Sequence, residues 1–159
     1  MGHDQEKLDM ESAAVQSFLL AYNAREHASY QIKEHRDRPD FILVDDRGAE
    51  MALEVTHFFD SEEEARDLVH GLPMTEGPHD VAAEVQRLDA LLAHKAQEAL
   101  EYDVPGPISL LVRIASPYFD AAEFRRQAGA VHVPPGAYQK VWLLFRRAGA
   151  VLDELIEIA

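Results

Sequence analysis

The length of 159 residues and the mass of 17.9 kDa predict a single domain, which we place over residues 1–159. The 15 basic and 29 acidic residues give a formal charge of −14, which argues against coating phosphate by bulk electrostatics. The absence of cysteine excludes disulfides and thiolate chemistry, and no apolar run approaches the roughly 20 residues of a membrane span. Because Met1–Glu6 does not resemble a secretory signal, we expect a cytoplasmic protein with no membrane contact.

The first predicted element is a helix over residues 4–23, in which apolar residues recur at intervals of three and four. Glu11 falls on this stripe, three residues after Leu8 and four before Val15. Either Glu11 lies at the edge of the stripe and reaches water, or it points toward the surface on which the helix packs.

Three strands are predicted next, over residues 29–35, 41–45 and 50–58, with Asp46-Arg47-Gly48 as a three-residue hairpin loop. If Asp45 opposes Ala49, the same register places Asp40 opposite Glu54, and alternation puts both acids on one face. Directly opposed side chains have Cβ atoms roughly 4.5–5.5 Å apart, where like charges destabilise a sheet. We therefore expect a cation or a proton between the two carboxylates.

The chain after the third strand is predicted to form a surface connection followed by two helices and three strands. The acidic run 60–64 is expected to be solvated, and residues up to 78 are expected to form a surface connection with at most one short helix. A helix over 80–101, with Asp80 as N-cap, carries Lys95 on its apolar stripe, so the ammonium either reaches out to water or meets a buried acid. Beyond it we predict a central strand at 108–115, a helix at 120–128 and strands at 141–146 and 151–158.

The order α-β-β-β-α-β-(α)-β-β indicates an α/β domain with a mixed central sheet flanked by helices. Its core covers residues 4–115, and residues 116–159 form a C-terminal strand extension. On this arrangement Asp40, Glu54, Glu11 and Lys95 are able to converge. Mg²⁺ or Mn²⁺ would offset the repulsion between the two opposed acids, since such hard ions take carboxylate, phosphate and water oxygens as ligands.

The stretch Arg38-Pro39-Asp40-Phe41, followed by Glu54-Val55-Thr56, resembles the core motif of the PD-(D/E)XK nuclease superfamily, whose restriction-endonuclease-like fold has an α-β-β-β-α-β core. The resemblance covers residues 11–115. It implies that Asp40 and Glu54 are catalytic, metal-binding carboxylates and that the Val55 carbonyl is a further metal ligand. It also implies that Glu11 matches an acid often found on the first helix and shares in the metal site.

The chain departs from the motif at Thr56, which stands where the superfamily usually has a lysine. Some branches supply the catalytic lysine from the second core helix, and Lys95 suits that role. His57 adjoins the motif but lies on the opposite face of its strand from Glu54, so we expect it to be mainly structural. Trp142 has apolar neighbours and is expected in the core rather than in a base-stacking platform.

These features predict hydrolysis of phosphodiester bonds in DNA with Mg²⁺ or Mn²⁺. One alternative is a catalytically inactive, nuclease-like acidic module that contacts a basic protein, and another is a purely structural network of acids without an ion. Taken alone, Glu54 could also pair with Lys33 or Arg38 at a sheet edge. Six basic and two acidic residues lie between Arg113 and Arg147, a local charge of +4, so DNA would be contacted through a basic C-terminal face. A homodimer is also expected.

Overall fold

Six strands form one mixed sheet in the computed structural model of the chain, which describes residues 2–36, 39–58, 81–101, 108–114, 120–146 and 153–158. Along the chain the elements are α1 (Gly2–Glu26), β1 (Gln31–His35), β2 (Phe41–Val44), β3 (Glu50–Phe58), α2 (Val81–Ala99), β4 (Ile108–Ile114), α3 (Ala121–Gln127), a 3₁₀ turn (Ala128–Ala130), β5 (Val141–Phe145) and β6 (Glu154–Glu157).

The strands lie side by side in chain order from β1 to β6. β3, β4 and β5 are mutually parallel, whereas the pairs β1–β2, β2–β3 and β5–β6 are antiparallel. The predicted α/β class with a mixed sheet is confirmed. The predicted solvated run 60–64, the connection that follows it and the Asp80 N-cap lie outside the described residues.

The first helix is longer than predicted and ends by a local device. His27 has a left-handed φ of 52°, and the Ala28 N–H donates to the Asn23 carbonyl at 3.0 Å, the six-to-one bond of a Schellman cap. The Asn23 side chain then exchanges two hydrogen bonds with the backbone of Tyr30, at 2.9 and 3.0 Å. These bonds turn the chain from α1 back into β1.

Helices cover both faces of the sheet. α1 buries Val15 and Phe18 against one face, and α2 and α3 bury Leu88, Leu92 and Phe124 against the other. β4 is buried on both sides, as predicted, because its alternate residues belong to opposite core clusters. Among the described residues, no helix is both long and apolar enough to cross a bilayer.

The β2–β3 hairpin has the predicted register. Phe41 pairs with Leu53 and Val44 with Glu50, and the Asp45 N–H donates to the Ala49 carbonyl at 3.0 Å. Gly48 has a φ of 86°, a conformation that favours glycine and explains its place at the end of the loop. The Asp45 carboxylate accepts two loop N–H groups, those of Arg47 and Ala49, at 2.9 and 2.8 Å. Because the turn is fixed, the strand register that it sets extends to the opposed positions of Asp40 and Glu54.

Candidate functional site

The side chains of Asp40 and Glu54 meet at the end of the hairpin, where β2 begins. Glu54 is only 4% exposed, and Asp40, one residue before β2, is half-buried. The two carboxyl groups lie close enough to share a hydrogen bond when one of them carries a proton. The predicted opposition of these acids is confirmed.

Burial is the main cause that raises the pKa of Glu54, and the hydrogen bond to Asp40 and the charge of Asp40 add to it. The positive charge of Lys95 acts in the opposite direction, and the resulting pKa is about 9. Glu54 therefore holds a proton at neutral pH, and this proton relieves the repulsion of the opposed pair.

Backbone groups of Val55 complete this corner of the site. The Val55 N–H donates to Oδ2 of Asp40 at 2.8 Å, which holds that carboxylate against the edge of β3. In an extended strand the N–H and C=O of one residue point to the same side. The Val55 carbonyl is therefore directed to the same side as the Asp40 carboxylate, as a shared ion would require.

Lys95 is 18% exposed and its ammonium meets an acid, but that acid is 30% exposed, so the predicted contact with a buried acid is wrong in this respect. That acid is Glu98 on the same helix, whose Oε2 lies 3.1 Å from Nζ of Lys95. Lys95 also lies within electrostatic range of Glu54, since its charge opposes the rise in the Glu54 pKa. Val55 packs under α1, so its neighbour Glu54 points to the opposite face of the sheet. That face is the one covered by α2, which carries Lys95.

Glu11 lies on the opposite face, in α1, and is 6% exposed. The alternative that it reaches water is therefore wrong. Its carboxylate is 3.8 Å from Nζ of Lys7 and 3.7 Å from Nε2 of His35. Burial raises the Glu11 pKa most, and the charge of Asp40 raises it further. Glu11 and Asp40 therefore interact electrostatically although they belong to opposite faces of the sheet.

The structure does not gather three acids into one ligand group. Within the described ranges, no cluster of three or more His, Cys, Asp or Glu side chains has the spacing to hold a metal ion. Glu11 is thus separate from the Asp40–Glu54 pair as a potential ligand. An ion at the pair would take the two carboxylates and the Val55 carbonyl, and this hard-oxygen donor set fits Mg²⁺ or Mn²⁺ completed by water and phosphate.

Three residues near the site are not predicted from the sequence. His94 Nε2 lies 2.8 Å from Oε1 of Glu98, and the Tyr138 hydroxyl donates to the Lys95 carbonyl at 2.8 Å. Burial chiefly raises the pKa of Tyr138, and the charges of Glu54, Glu98 and Asp40 raise it further. The spacing of three residues between Lys95 and Glu98 is a helix-pair signal, whereas nothing local marks Tyr138.

The neighbours of the motif lie where alternation places them. Thr56 shares the Glu54 face and is half-buried. His57 lies on the α1 face, as predicted, and burial together with the charges of Arg113 and Lys7 lowers its pKa to about 4. Trp142 is 3% exposed in the core, also as predicted.

Of the two alternative partners predicted for Glu54, only Lys33 belongs to the described residues. Lys33 pairs with Glu50 at 2.5 Å, so its proposed pairing with Glu54 is wrong, and Arg38 lies outside the described residues.

The basic residues of the C-terminal segment are largely paired with acids. Arg126 lies 2.6 Å from Glu123, Lys140 lies 2.5 Å from Glu157, and Arg125 pairs with Glu154. The acids of β6 thus offset much of the local positive charge expected for this face. The described residues include Arg146 but not Arg147.

The structure therefore brings Asp40, Glu54 and the Val55 backbone together, sets Lys95 on the same face, and leaves Glu11 on the other. The chain matches no family model, no curated protein and no solved structure. The geometry of this site is accordingly the basis for any functional conclusion.

Proposed function

We propose that the chain is a Mg²⁺- or Mn²⁺-dependent nuclease of the PD-(D/E)XK type, which hydrolyses phosphodiester bonds in DNA. The observation that supports this proposal best is the buried contact between the Asp40 and Glu54 carboxyls, on the face that carries Lys95. The opposed acids need a proton or a cation between them, and a divalent cation would use both carboxylates at once.

A cation at the pair would take the place of the proton that Glu54 holds. With a pKa of about 9, Glu54 is protonated at pH 7 and makes a poor ligand in that form. A divalent ion between the carboxylates would replace the proton and neutralise both charges. When bound, such an ion polarises a phosphoryl oxygen and lowers the pKa of a coordinated water.

The chain's own groups would then have separate tasks. Asp40 and Glu54 would hold the ion, and the Val55 N–H keeps Asp40 in place through its 2.8 Å bond. Lys95 would replace the missing lysine at Thr56 and neutralise charge that develops on the phosphate. Glu11 would act on the site through its electrostatic interaction with Asp40 and would not coordinate the ion.

Cleavage of DNA tests this proposal. Supercoiled plasmid and linear duplex are incubated with Mn²⁺ or Mg²⁺ and the purified chain, beside Asp40→Ala, Glu54→Ala and Lys95→Ala. Glu50→Ala is the matched control, because Glu50 shares the strand and face of Glu54 but is exposed. Cleavage by wild type and control alone supports the proposal, whereas equal cleavage by all variants indicates a contaminating nuclease.

A second candidate is an inactive module of the same fold that contacts a basic protein. The net charge of −14 and the pairing of Arg125, Arg126 and Lys140 with acids favour it. Isothermal calorimetry separates the two candidates. Binding of Mn²⁺ that is lost in Asp40→Ala favours the nuclease, whereas no heat with Mn²⁺ and capture of a purified basic protein favour the binding module.

A further inference from the structure

The ammonium of Lys95 has one described partner, and it is a residue of its own helix. Nζ of Lys95 lies 3.1 Å from Oε2 of Glu98, and the other oxygen of Glu98 lies 2.8 Å from Nε2 of His94. Glu98 is therefore held from both sides. A lysine side chain has four rotatable bonds, so an acid fixed in this way limits the directions that the ammonium can take.

The backbone of Lys95 is also held, by a residue far along the chain. The Tyr138 hydroxyl donates to the Lys95 carbonyl at 2.8 Å, across a separation of 43 residues. A second tie lies further up α2, where Asp89 accepts the His132 N–H at 2.7 Å and contacts its ring nitrogen at 3.0 Å. The segment 131–140 is thus docked on α2 at two points, one of them the turn that carries Lys95.

These contacts lie beside the acid pair rather than elsewhere on the helix. Glu98 and Tyr138 both interact electrostatically with Glu54, and Tyr138 packs against the core cluster beneath α2. An ammonium tied to Glu98 and a helical turn tied to Tyr138 leave Lys95 with few ways to move relative to Glu54.

We propose that Glu98 and Tyr138 are positioning residues for Lys95, Glu98 by orienting its ammonium and Tyr138 by fixing its helical turn. This proposal rests on the nuclease function for its effect on catalysis, but the restraint on Lys95 is a property of the folded chain and is measurable without a substrate. In a nuclease, loss of either restraint lowers kcat more than it raises KM. The reason is that a misplaced Lys95 ammonium loses mainly its stabilisation of the transition state.

The experiment combines a structural and a kinetic readout on the full chain. Side-chain NMR of ¹³C,¹⁵N-lysine-labelled protein reports the Lys95 Nζ and Cε signals, assigned with Lys95→Arg, in wild type, Glu98→Gln, Glu98→Asp and Tyr138→Phe. Glu101→Gln is the matched control, an exposed acid three residues further on that removes the same charge. Plasmid cleavage with Mn²⁺ supplies kcat and KM for the same proteins.

We expect the Lys95 signals to shift and sharpen toward those of a free lysine in Glu98→Gln and to stay near wild type in Glu101→Gln. The kcat should fall about tenfold to a hundredfold in Glu98→Gln, with partial recovery in Glu98→Asp and a smaller loss in Tyr138→Phe. Unchanged Lys95 signals in Glu98→Gln, or an unchanged kcat in an active enzyme, would overturn the proposal. If wild type cleaves nothing, the nuclease function fails, and the NMR result still decides the restraint on Lys95.

Discussion

The backbone N–H of Val55 donates to Oδ2 of Asp40 at 2.8 Å. Val55 therefore holds in place the carboxylate that lies opposite Glu54, the residue before it in the strand. Burial and the hydrogen bond to Asp40 raise the pKa of Glu54 to about 9, so the shared proton lies on Glu54. The pair is thus asymmetric before any ion binds, and this asymmetry has consequences for pH and metal dependence.

The first prediction concerns stability against pH. The pKa of Glu54 is about 9 in the folded chain and its ordinary value is 4.5, so between these values the folded state binds more protons than the unfolded state. Wild-type stability should therefore fall as pH rises from 5 to 9, at up to about 1.4 kcal/mol per pH unit from this group. Glu54→Gln, whose amide still donates to Asp40, should lose this dependence in urea unfolding series. Glu50→Gln should keep it, and identical slopes in all three proteins would contradict the raised pKa.

The second prediction concerns metal binding. Mn²⁺ should stabilise the wild-type chain, by about 2.7 kcal/mol at a free concentration about 100 times its Kd. Binding should tighten as pH rises toward 9, because the ion displaces the Glu54 proton. Thermal unfolding with and without Mn²⁺ measures the effect, and Asp40→Asn should abolish it. Equal shifts in wild type and Asp40→Asn would place the ion at another site.

The third prediction concerns the core beneath α1. Phe18 is fully buried and contacts Tyr22 and Trp142, with ring centroids 5.3 and 6.0 Å away. Phe18→Ala should cost about 3–5 kcal/mol of unfolding free energy because it leaves a cavity. Leu20, two residues on and 59% exposed, is the matched control, and Leu20→Ala should change stability by less than about 0.5 kcal/mol. Chemical denaturation compares the two, and a small loss for Phe18→Ala would refute the packing of α1 on the sheet.

The fourth prediction concerns the C-terminal basic residues as a DNA-contacting surface. Glu154 and Glu157 pair with Arg125 and Lys140, so the double variant Glu154→Gln, Glu157→Gln should release two cations for phosphate. DNA binding should strengthen, and the slope of log K against log salt should steepen by up to about 0.9 per new phosphate contact. Fluorescence anisotropy over a salt series measures both. The control double variant Glu6→Gln, Glu101→Gln removes the same charge from exposed acids elsewhere, and an equal gain there would rule out a dedicated surface.

The opposition of Asp40 and Glu54 was predictable because both belong to one hairpin, whose pairing is set by residues that are close in sequence. The loop length and Gly48 set the pairing of β2 with β3, and alternation then fixed the faces of Asp40 and Glu54. Burial of Glu11 was not decided by its spacing alone, since a stripe-edge acid and a buried acid have the same periodicity. Tyr138 could not be found this way, because its partner lies 43 residues away and no local pattern encodes that contact.

The placement of the lysine on α2 makes assembly of the site depend on the whole fold. Asp40 and Glu54 belong to one hairpin and can meet through contacts that are short in sequence. Lys95 lies on the helix that connects the parallel strands β3 and β4, and Tyr138 precedes β5, so both arrive only when these non-local strands have paired. A partly folded chain would hold two acids and no lysine beside them. If the chain is the proposed nuclease, phosphate chemistry would then be confined to molecules whose folding is complete.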